Sequence, residues 1–477
     1  MALSRFFTII VIASIGWAFI LLLSGRMYSL TPMVNGKQGD ANVIAEKDSQ
    51  QLKSADSSFF RKIKSSGAVG FQKGDSLFTL SSSGVIEISK GIQSADGLFP
   101  TCKNTIMDIW LPLIGYLTFF CGLMNLLSDS KATEKLSRFL APFFTRIFPD
   151  LPKEHPAYGY MTMNFAANFL GLDNAATPFG LKAMESMQES NSIKDKATNS
   201  QIMFLCLHAA GLTLIPTSII GYRAAMNASN PADIMLPTII TSFVGTIAAL
   251  IFVSLKQRIK MLSGVGSGVI AGISLLIGGL MFSIVRLNGI AKLHFTGNLS
   301  TGILLVIIFI IVAYAFLHEK FFREKGTNIF DSFIHGAKDG FTTGVRILPY
   351  MIAMLCAISI FRNSGLMEIV MSGITAVMKL FHVNEQIVNA IPVALMRPFT
   401  AGGSRGFMLD SMKTYGADSL TGRLSCLFQG AAETTFYVIA LYFGSVSVKN
   451  TRYTLGIMLL VDLVCVIAAV VVSLFYF

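Results

Sequence analysis

Residues 156–184 read PAYGYMTMNFAANFLGLDNAATPFGLKAM, and this stretch determines how the rest of the chain is interpreted. Its two ends are apolar enough for a membrane, but its centre carries Gly171, Pro178 and a group of polar side chains. Unwound backbone and polar groups are tolerated at membrane depth only against protein or in a water-filled cavity. The stretch therefore predicts a hairpin that enters the bilayer and turns back.

Residues 387–413, IVNAIPVALMRPFTAGGSRGFMLDSMK, repeat this plan. The segment FGLKAM at 179–184 aligns with FMLDSM at 407–412, which sets the turn at 173–178 opposite the turn at 401–406.

Two further pairs of segments match in the same order along the chain. WLPLI at 110–114 matches ILPYM at 347–351, and LHAAGLT at 207–213 matches QGAAETT at 429–435. Self-similarity over this length indicates two related halves.

The composition excludes a soluble protein. The chain has 477 residues, of which 53% are hydrophobic and 14% charged, and its mean hydropathy is +0.61. The net charge of +11 comes from Lys and Arg in short segments between apolar runs, as in loops that orient membrane helices. There is no basic stripe or aromatic platform, so nucleic acid is not an expected partner. Six cysteines without metal-ligand spacing are interpreted as small packing residues.

The apolar runs predict nine crossings of the membrane in addition to the two hairpins. They lie at about 6–25, 106–127, 200–222, 234–255, 264–285, 301–319, 344–361, 420–443 and 453–476, each near the length that spans hydrocarbon. The first run lacks a convincing cleavage site, so a retained helix is expected rather than a signal peptide. Amphipathic helices are predicted at about 131–147 and 366–381. Residues 26–104 are polar and contain the alternating runs SLFTL and VIEIS, which predict a small insert with some β structure.

Positive charge tests whether the hairpins cross. With the N-terminus inside and neither hairpin crossing, 17 Lys and Arg fall in inside segments and 6 in short outside segments, against 13 and 10 if both hairpins cross. Because Lys and Arg gather in short cytoplasmic loops, the re-entrant arrangement is favoured, with residues 26–104 outside. Because the span at 264–285 adds one crossing between the halves, the second half is inverted in the membrane relative to the first. The hairpins enter from opposite sides, and their tips can meet near the midplane, as in inverted-repeat transporters.

The expected fold is an all-α polytopic membrane protein with an inverted-topology repeat, two re-entrant hairpins and a small extracytoplasmic insert with some β structure. The expected parts are an N-terminal transmembrane helix (1–25), the insert (26–104), a first repeat (105–256), a linker with the inverting helix (257–299) and a second repeat (300–477).

At these motifs the chain resembles a known family. NFAANFLGLDNAATPFGLKAM and LTLIPTSIIGYRAA resemble spore maturation protein A over about 1–256. FIHGAKDGFTTGVRILPYMIAMLCAISIFRNSG, ALMRPFTAGGSRG and ETTFYVIALYFGSV resemble spore maturation protein B over about 300–477. Both belong to the nucleoside transporter and ferrous-iron permease Gate domain group. The resemblance implies a nucleoside-transporter-like gate and a link to spore-core dehydration and cortex maturation. The insert and the fusion depart from the separate A and B proteins.

Glu433 and hairpin two are the first candidate site. A carboxylate in the middle of an apolar span is costly and marks a functional site, here with Arg397 or Arg405 as its partner. The pair either locks the hairpin or forms a proton or sodium site that gates it. The two arginines flank the glycine turn, and the helix that follows is expected to begin near Ser404. Arg397, Ser404 and Arg405 are therefore candidates for binding the solute, with a carboxylate or phosphate favoured. Alternatively, Arg397 binds backbone carbonyls.

Hairpin one supplies the second group of candidates, namely Asn164, Asn168, Asp173, Asn174 and Thr177. Their oxygen and amide groups can hydrogen-bond a polar solute or coordinate a cation, and one of them, Asp173, is also a candidate coupling site. The alternative is that they cap two short half-helices.

His208 is a candidate for proton transfer, with a packed, hydrogen-bonded core histidine as the alternative. The segment GGSRG at 402–406 fits the G-x-S-x-G pattern of hydrolases, but it lies in a membrane hairpin and no histidine follows His382. No catalytic site is therefore expected. Neither a phosphate-binding loop nor a zinc-protease motif occurs, so no metal or cofactor is predicted.

These observations predict a secondary transporter or permease of the cytoplasmic membrane. Its solute would be small and polar, either anionic or nucleoside-like, and Na+ or H+ would be the coupling ion. The alternative is a non-transporting scaffold or an envelope (spore cortex or peptidoglycan) maturation factor that uses residues 26–104 to hold an extracytoplasmic enzyme. The small residues of the hairpins leave a homo-oligomer open.

Overall fold

The computed structural model describes residues 2–24, 30–35, 70–73, 76–80, 86–90, 97–152, 154–171, 173–259, 272, 275, 277–279, 282–284, 286–287, 289–380 and 383–477. The chain forms two compact units. One comprises Met1–Phe6, Thr105–Met354 and Gly373–Phe477, and the other comprises Phe7–Asn104 and Leu355–Ser372. Most of the predicted span at 264–285 lies outside the described residues.

The smaller unit contains most of helix α1 and a small sheet. Its elements are α1 (Ala2–Leu23), α2 (Thr31–Asn35), β1 (Gly70–Lys73), β2 (Ser76–Leu80), β3 (Ile86–Lys90) and α3 (Leu98–Asn104). The strands are antiparallel in the order β1-β2-β3, and Phe78 of β2 is in register with Phe71 on one side and Ile88 on the other. All three strands lie within 26–104, where the sequence predicts some β structure.

The larger unit is helical. After a π-helical turn (Thr105–Trp110) its first half contains α4 (Leu111–Asp129), α5 (Ala132–Ile147), α6 (Ala157–Phe169), α7 (Asp173–Glu189), α8 (Asn199–Ala210), α9 (Thr217–Ala225), a 3-10 turn (Pro231–Ile234) and α10 (Met235–Gln257). Its second half contains α11 (Gly289–Leu317), α12 (Glu319–Glu324), α13 (Ile329–Asn363, whose end lies in the smaller unit), α14 (Leu366–Lys379), α15 (Glu385–Val388), α16 (Ile391–Met396), α17 (Ala401–Tyr415), α18 (Leu420–Gly430), α19 (Thr435–Ser445) and α20 (Thr454–Tyr476).

Within the described residues, six helical segments are long and apolar enough to cross a membrane. They are Leu98–Asp129, Pro231–Gln257, Phe295–Leu317, Ile329–Asn363, Leu420–Ser445 and Thr454–Tyr476. Each corresponds to a predicted crossing, which makes this a multi-pass membrane protein. Of the other three predicted crossings, 6–25 contains a shorter apolar helix, Phe7–Leu23, and 264–285 is mostly undescribed.

The remaining predicted crossing, at 200–222, is interrupted, and so is the one at 420–443. Helix α8 ends where Gly211 adopts φ 58°, and α9 begins only at Thr217. Helix α18 ends at Gly430, and α19 begins at Thr435. These two unwound segments, 211–216 and 431–434, are called breaks one and two. They occupy matching places in the repeat.

The two predicted hairpins are helix-turn-helix units. In hairpin one, α6 and α7 are joined at Gly171, which has φ 78°. A Cβ at Gly171 would lie 2.7 Å from the carbonyl oxygen of Ile215, so both its conformation and its surroundings require glycine. In hairpin two, α16 and α17 are joined by residues 397–400. With 13 residues, α6 is about 20 Å long and shorter than the hydrocarbon core.

The apolar core of the larger unit lies between the hairpins and the interrupted helices. Fully or almost fully buried side chains from α5 to α8, α10, α19 and α20 form it, among them Met161, Met184, Phe204, Val253 and Val461. Ala431 and Ala432 of break two belong to this core.

An ionic cluster joins the two repeats. Arg223, which is fully buried, lies 2.8 Å from Asp233 and 3.1 Å from Asp418, and Arg423 also lies 2.8 Å from Asp233. Burial acts to raise the pKa of Asp418, but the Ser229 N–H and both arginines outweigh it, so the net pKa is lowered. The cluster holds two charges of each sign. Arg223 is one of the six Lys and Arg that the charge count above assigns to short outside segments, and in the structure its side chain is fully buried in this cluster.

Substitution of Arg223 tests this cluster. Arg223→Met leaves the buried Asp233 with one partner fewer, and breaking a buried ion pair costs about 3 kcal/mol or more. We expect a clear loss of thermal stability of the purified protein in detergent.

Arg323→Ala serves as the control, because Arg323 pairs with Glu319 at an exposed position and such pairs contribute under about 1 kcal/mol. Equal melting temperatures for the two variants would show that the Arg223 cluster does not stabilise the fold.

Candidate functional site

A cavity of about 210 Å³ lies where the hairpins and the breaks meet. Six of the residues predicted from sequence line it, namely Asn168, Thr177, His208, Arg397, Arg405 and Glu433. Most of the remaining polar lining comes from Thr213, Thr217, Ser218, Tyr222, Gln429, Tyr437 and Tyr442. Both repeats therefore contribute to one polar chamber.

Backbone hydrogen bonds tie break two to the end of α8 and tie the region of each break to a hairpin. The Glu433 N–H in break two donates to the carbonyl of Ala209 at the end of α8, at 2.7 Å. In the first half, the Leu214 N–H in break one donates to the Phe169 carbonyl at 2.8 Å. In the second half, the Phe436 N–H in the first turn of α19 donates to the Pro398 carbonyl at 3.0 Å. The repeat alignment pairs position 214 with position 436, so matching positions in the two halves bond to their own hairpins.

Arg397 is the partner of Glu433. Its guanidinium lies 3.8 Å from the Glu433 carboxylate, donates to the Thr434 hydroxyl at 3.1 Å and also donates to the carbonyl of Ala432. The side chain of Arg397 is 10% exposed and that of Glu433 is 45% exposed. Both of the roles considered from the sequence, ion pairing and binding to a carbonyl, are thus present in one side chain.

Arg405 lies on a different side of the cavity. Among the described residues its guanidinium contacts the ring of Tyr222, 5.5 Å from the ring centroid, rather than a carboxylate. Helix α17 begins at Ala401, earlier than the start near Ser404 expected from sequence, with the Thr400 hydroxyl accepting from Gly403 N–H. Arg405 therefore lines the cavity with its guanidinium against an aromatic ring.

Ser404 does not line the cavity, although the sequence predicts that it binds solute. It is fully buried, and its hydroxyl lies 2.6 Å from the Gln429 side-chain oxygen and 3.1 Å from the Val393 carbonyl. The contact occupies the oxygen of Gln429 and leaves its amide NH2 for the cavity. Ser404 thus orients Gln429, a lining residue that the sequence reasoning missed.

A hydrogen-bonded chain holds His208. Asn164 donates to the Ala176 carbonyl at 2.7 Å, which fixes its amide so that its oxygen faces His208 Nδ1 at 3.1 Å. The side-chain nitrogen of Asn168 also lies 3.0 Å from Nδ1, so Nδ1 faces one amide oxygen and one amide nitrogen. On the other side of the ring, Nε2 lies 3.1 Å from the Tyr442 hydroxyl. Of the two asparagines, only Asn168 lines the cavity.

The other two candidates of hairpin one lie at its tip. Helix α7 begins at Asp173 and continues through Asn174, but the side chains of both residues lie outside the described part of the chain. Among the described residues, no group of three or more His, Cys, Asp or Glu is arranged to hold a metal ion.

The structure adds a second membrane carboxylate, Asp462 in α20. It accepts a hydrogen bond from the Thr435 hydroxyl at 2.7 Å, and with Arg397 it lines a small void of about 20 Å³. Asp462 occupies an apolar span just as Glu433 does, so the same sequence argument applied to 453–476 would have found it. Arg397 therefore has one carboxylate on the cavity side and another towards α20.

Removing the Tyr442 hydroxyl tests the histidine chain. Tyr442→Phe keeps the ring but removes the hydroxyl that lies 3.1 Å from the buried Nε2 of His208, and a buried polar atom left without a partner costs about 1–3 kcal/mol. We expect a lower melting temperature of the purified protein.

Tyr437→Phe is the matched control, because Tyr437 lies on the same helix and is 59% exposed. If both variants melt like the wild type, the His208 chain makes no contribution to stability.

The sequence matches a protein family model and two spore maturation proteins. The family model described as "Gate: Nucleoside recognition" matches residues 110–318 and 344–449. Spore maturation protein A of Bacillus subtilis (strain 168) is 40% identical over 168 residues, which are 32% of this chain and 86% of that protein. Spore maturation protein B of the same organism is 34% identical over 148 residues, 31% of this chain and 82% of that protein.

One solved structure, "Structure of CNTnw in an inward-facing substrate-bound state", is 13% identical and covers 99% of this chain and 96% of its own. Its TM-score of 0.36 is too low to support an argument. The relationship of this chain to known proteins therefore rests on the sequence matches.

Proposed function

Because the chain belongs to the Gate family, described as nucleoside recognition, we propose that it is a permease that carries a small polar solute through the cavity at the two breaks. The solute is either nucleoside-like or a small anion. A secondary transport mechanism fits this site, since the repeats can rock around a central chamber to give alternating access.

The observation that carries this proposal is the composition of the cavity wall. Hairpin one contributes Asn168, hairpin two contributes Arg405, and the interrupted helices contribute His208, Gln429 and Glu433. A chamber built at once from both hairpins and both breaks is the arrangement in which inverted-repeat transporters bind solute.

The size and charge of the cavity narrow the solute class. At about 210 Å³ it is smaller than the ~300–1,000 Å³ pockets that hold drug-sized ligands. Arg405 offers a cation next to an aromatic ring, which suits a carboxylate, a phosphate or a flat base. The Gln429 amide and the Asn168 amide offer hydrogen bonds of the kind that hydroxyl groups use.

We assign the hairpins to re-entrant positions in opposite leaflets of the cytoplasmic membrane. The short α6 supports this, as do the inside excess of Lys and Arg and the matching bonds from Leu214 and Phe436 to the hairpins. In this topology the N-terminus is inside and residues 26–104 are outside.

Glu433 is the proposed coupling site for a proton or a sodium ion. Its carboxylate is partly exposed in the cavity and lies 3.8 Å from Arg397. Binding or release of a cation at this carboxylate therefore changes its electrostatic attraction to Arg397 of hairpin two. His208 and Asp173 remain further candidates, and Asp462 joins them because it lines a void with the same arginine.

Binding to the purified protein tests the proposal. Thermal shift and equilibrium binding are measured with uridine, adenosine, ribose 5-phosphate and inorganic phosphate, each with Na+ or at several pH values. We expect one class to bind saturably. Arg405→Ala and Glu433→Gln should each weaken that binding by about tenfold or more, which corresponds to ~1.4 kcal/mol.

Arg323→Ala and Glu368→Gln are the matched controls, because they make comparable changes at exposed positions away from the cavity. If no probe or ion binds, and the two cavity variants leave the cellular phenotype unchanged, the proposed transport is wrong.

The second candidate is an envelope-maturation scaffold. It is favoured by the names of the two relatives, spore maturation proteins A and B, and by the position of residues 26–104 outside the segments that match the family. On this view the insert holds an extracytoplasmic protein, and the cavity is not used.

An insert replacement separates the two candidates. Residues 36–96 are replaced by a short glycine-serine linker, and the cellular phenotype is compared with that of Arg405→Ala. The scaffold predicts loss of function from the replacement alone, and the permease predicts loss from Arg405→Ala. A linker variant with full function would eliminate the scaffold.

A further inference from the structure

A pair of thiols in the smaller unit has no role in the proposed transport. The Sγ atoms of Cys102 in α3 and Cys356 in α13 lie 3.4 Å apart, although the two residues are 254 positions apart in sequence. The Cys356 sulfur also lies 4.0 Å from the carbonyl of Leu98 in the first turn of α3. Two sulfurs from distant segments are thus in van der Waals contact.

We propose that Cys102 and Cys356 form a disulfide site that fastens α3 to α13. A disulfide bond is about 2.05 Å long, so the sulfurs must approach by about 1.4 Å. Torsional adjustment of the two side chains supplies a movement of this size without moving the helices far. The sequence assigned both residues to packing, and their contact is visible only in the fold.

The exposure of the two thiols sets the order of the reaction. Cys102 is partly exposed, whereas Cys356 is 8% exposed. A small-molecule or protein disulfide, RSSR, is attacked by the Cys102 thiolate, which forms a mixed disulfide and releases one RSH. The Cys356 thiol then attacks the Cys102 sulfur and releases the second RSH. The two electrons and two protons lost by the cysteines are found in the two RSH molecules.

The proposed topology places this pair on the oxidising side. Cys102 lies two residues before the end of the segment 26–104, which is assigned to the outside. Cys356 lies seven residues before the outer end of α13 at Asn363, or about 10 Å along the helix. Disulfides form and persist outside the cytoplasm and are rare within it. The inference uses the topology of the proposed function but does not need transport itself.

The other cysteines provide internal controls. Cys426 in α18 is buried against the sulfur of Met412 at 3.5 Å, and Cys206 in α8 is fully buried. The contact of Cys426 is with a thioether sulfur, which cannot form a disulfide. Their thiols react with an alkylating reagent only after the protein is unfolded.

Counting thiols in the full-length protein tests the site. Membranes are prepared with and without incubation with oxidised glutathione, denatured and treated with polyethylene glycol-maleimide. Of the six cysteines in the wild type, we expect four to react after incubation with oxidised glutathione. Four also react without this incubation if the bond has already formed in the cell. Removing either partner should raise the number, so that Cys102→Ser and Cys356→Ser each show five reactive thiols. Cys426→Ser, which removes a thiol outside the pair, should show three.

Mass spectrometry of the unreduced digest should find a peptide pair that joins Cys102 to Cys356, and reduction should lower the melting temperature of the wild type but not that of Cys102→Ser. Six reactive thiols in both wild-type preparations, or a bond between any other two cysteines, would overturn the proposal. Loss of solute binding with the disulfide intact would instead count against the permease alone.

Discussion

Pairing of the backbone groups at the two breaks is the constraint on which this structure depends. Two apolar helical segments are interrupted, and hydrocarbon cannot satisfy the N–H and C=O groups that unwinding exposes. The protein pairs several of them. The Glu433 N–H donates to the Ala209 carbonyl at the end of α8, the Leu214 N–H donates to Phe169 at the end of α6, and the Phe436 N–H donates to Pro398 in the connection of hairpin two. The backbone groups of each unwound segment are therefore paired with a different part of the fold. Moving one of these parts breaks the hydrogen bonds that it makes with the others.

Arg397 applies the same solution with a side chain. Its guanidinium satisfies the Ala432 carbonyl and the Thr434 hydroxyl while lying near the Glu433 carboxylate. An arginine can do this because its planar group carries five donors in a fixed geometry and stays charged. The charge state of Glu433 thus acts directly on the residue that holds hairpin two to break two. Coupling between an ion and the hairpin requires a link of this kind.

The sequence predicted the parts of the site whose signals are local. Polar residues and glycines within apolar segments, together with the repeat, identified both hairpins and six of the lining residues. The breaks were missed because GLTLIP at 211–216 and AAET at 431–434 add little charge to spans that are otherwise apolar. Gln429 and Tyr442 were missed for another reason, since their partners Ser404 and His208 are 25 and 234 positions away. Such contacts exist only after folding.

The energetic balance of the chamber bears on which function it serves. Charged groups within a membrane protein are expensive, and a buried ion pair is often no more stable than apolar residues of the same volume. A scaffold that only had to hold its helices together could fill the space around Arg397 with apolar side chains and leave its helices continuous. This chain instead keeps two arginines and Glu433 around an open polar cavity, with Asp462 behind one of the arginines. Helix packing alone does not require that arrangement, whereas the permease that we propose uses it to bind and release a polar solute.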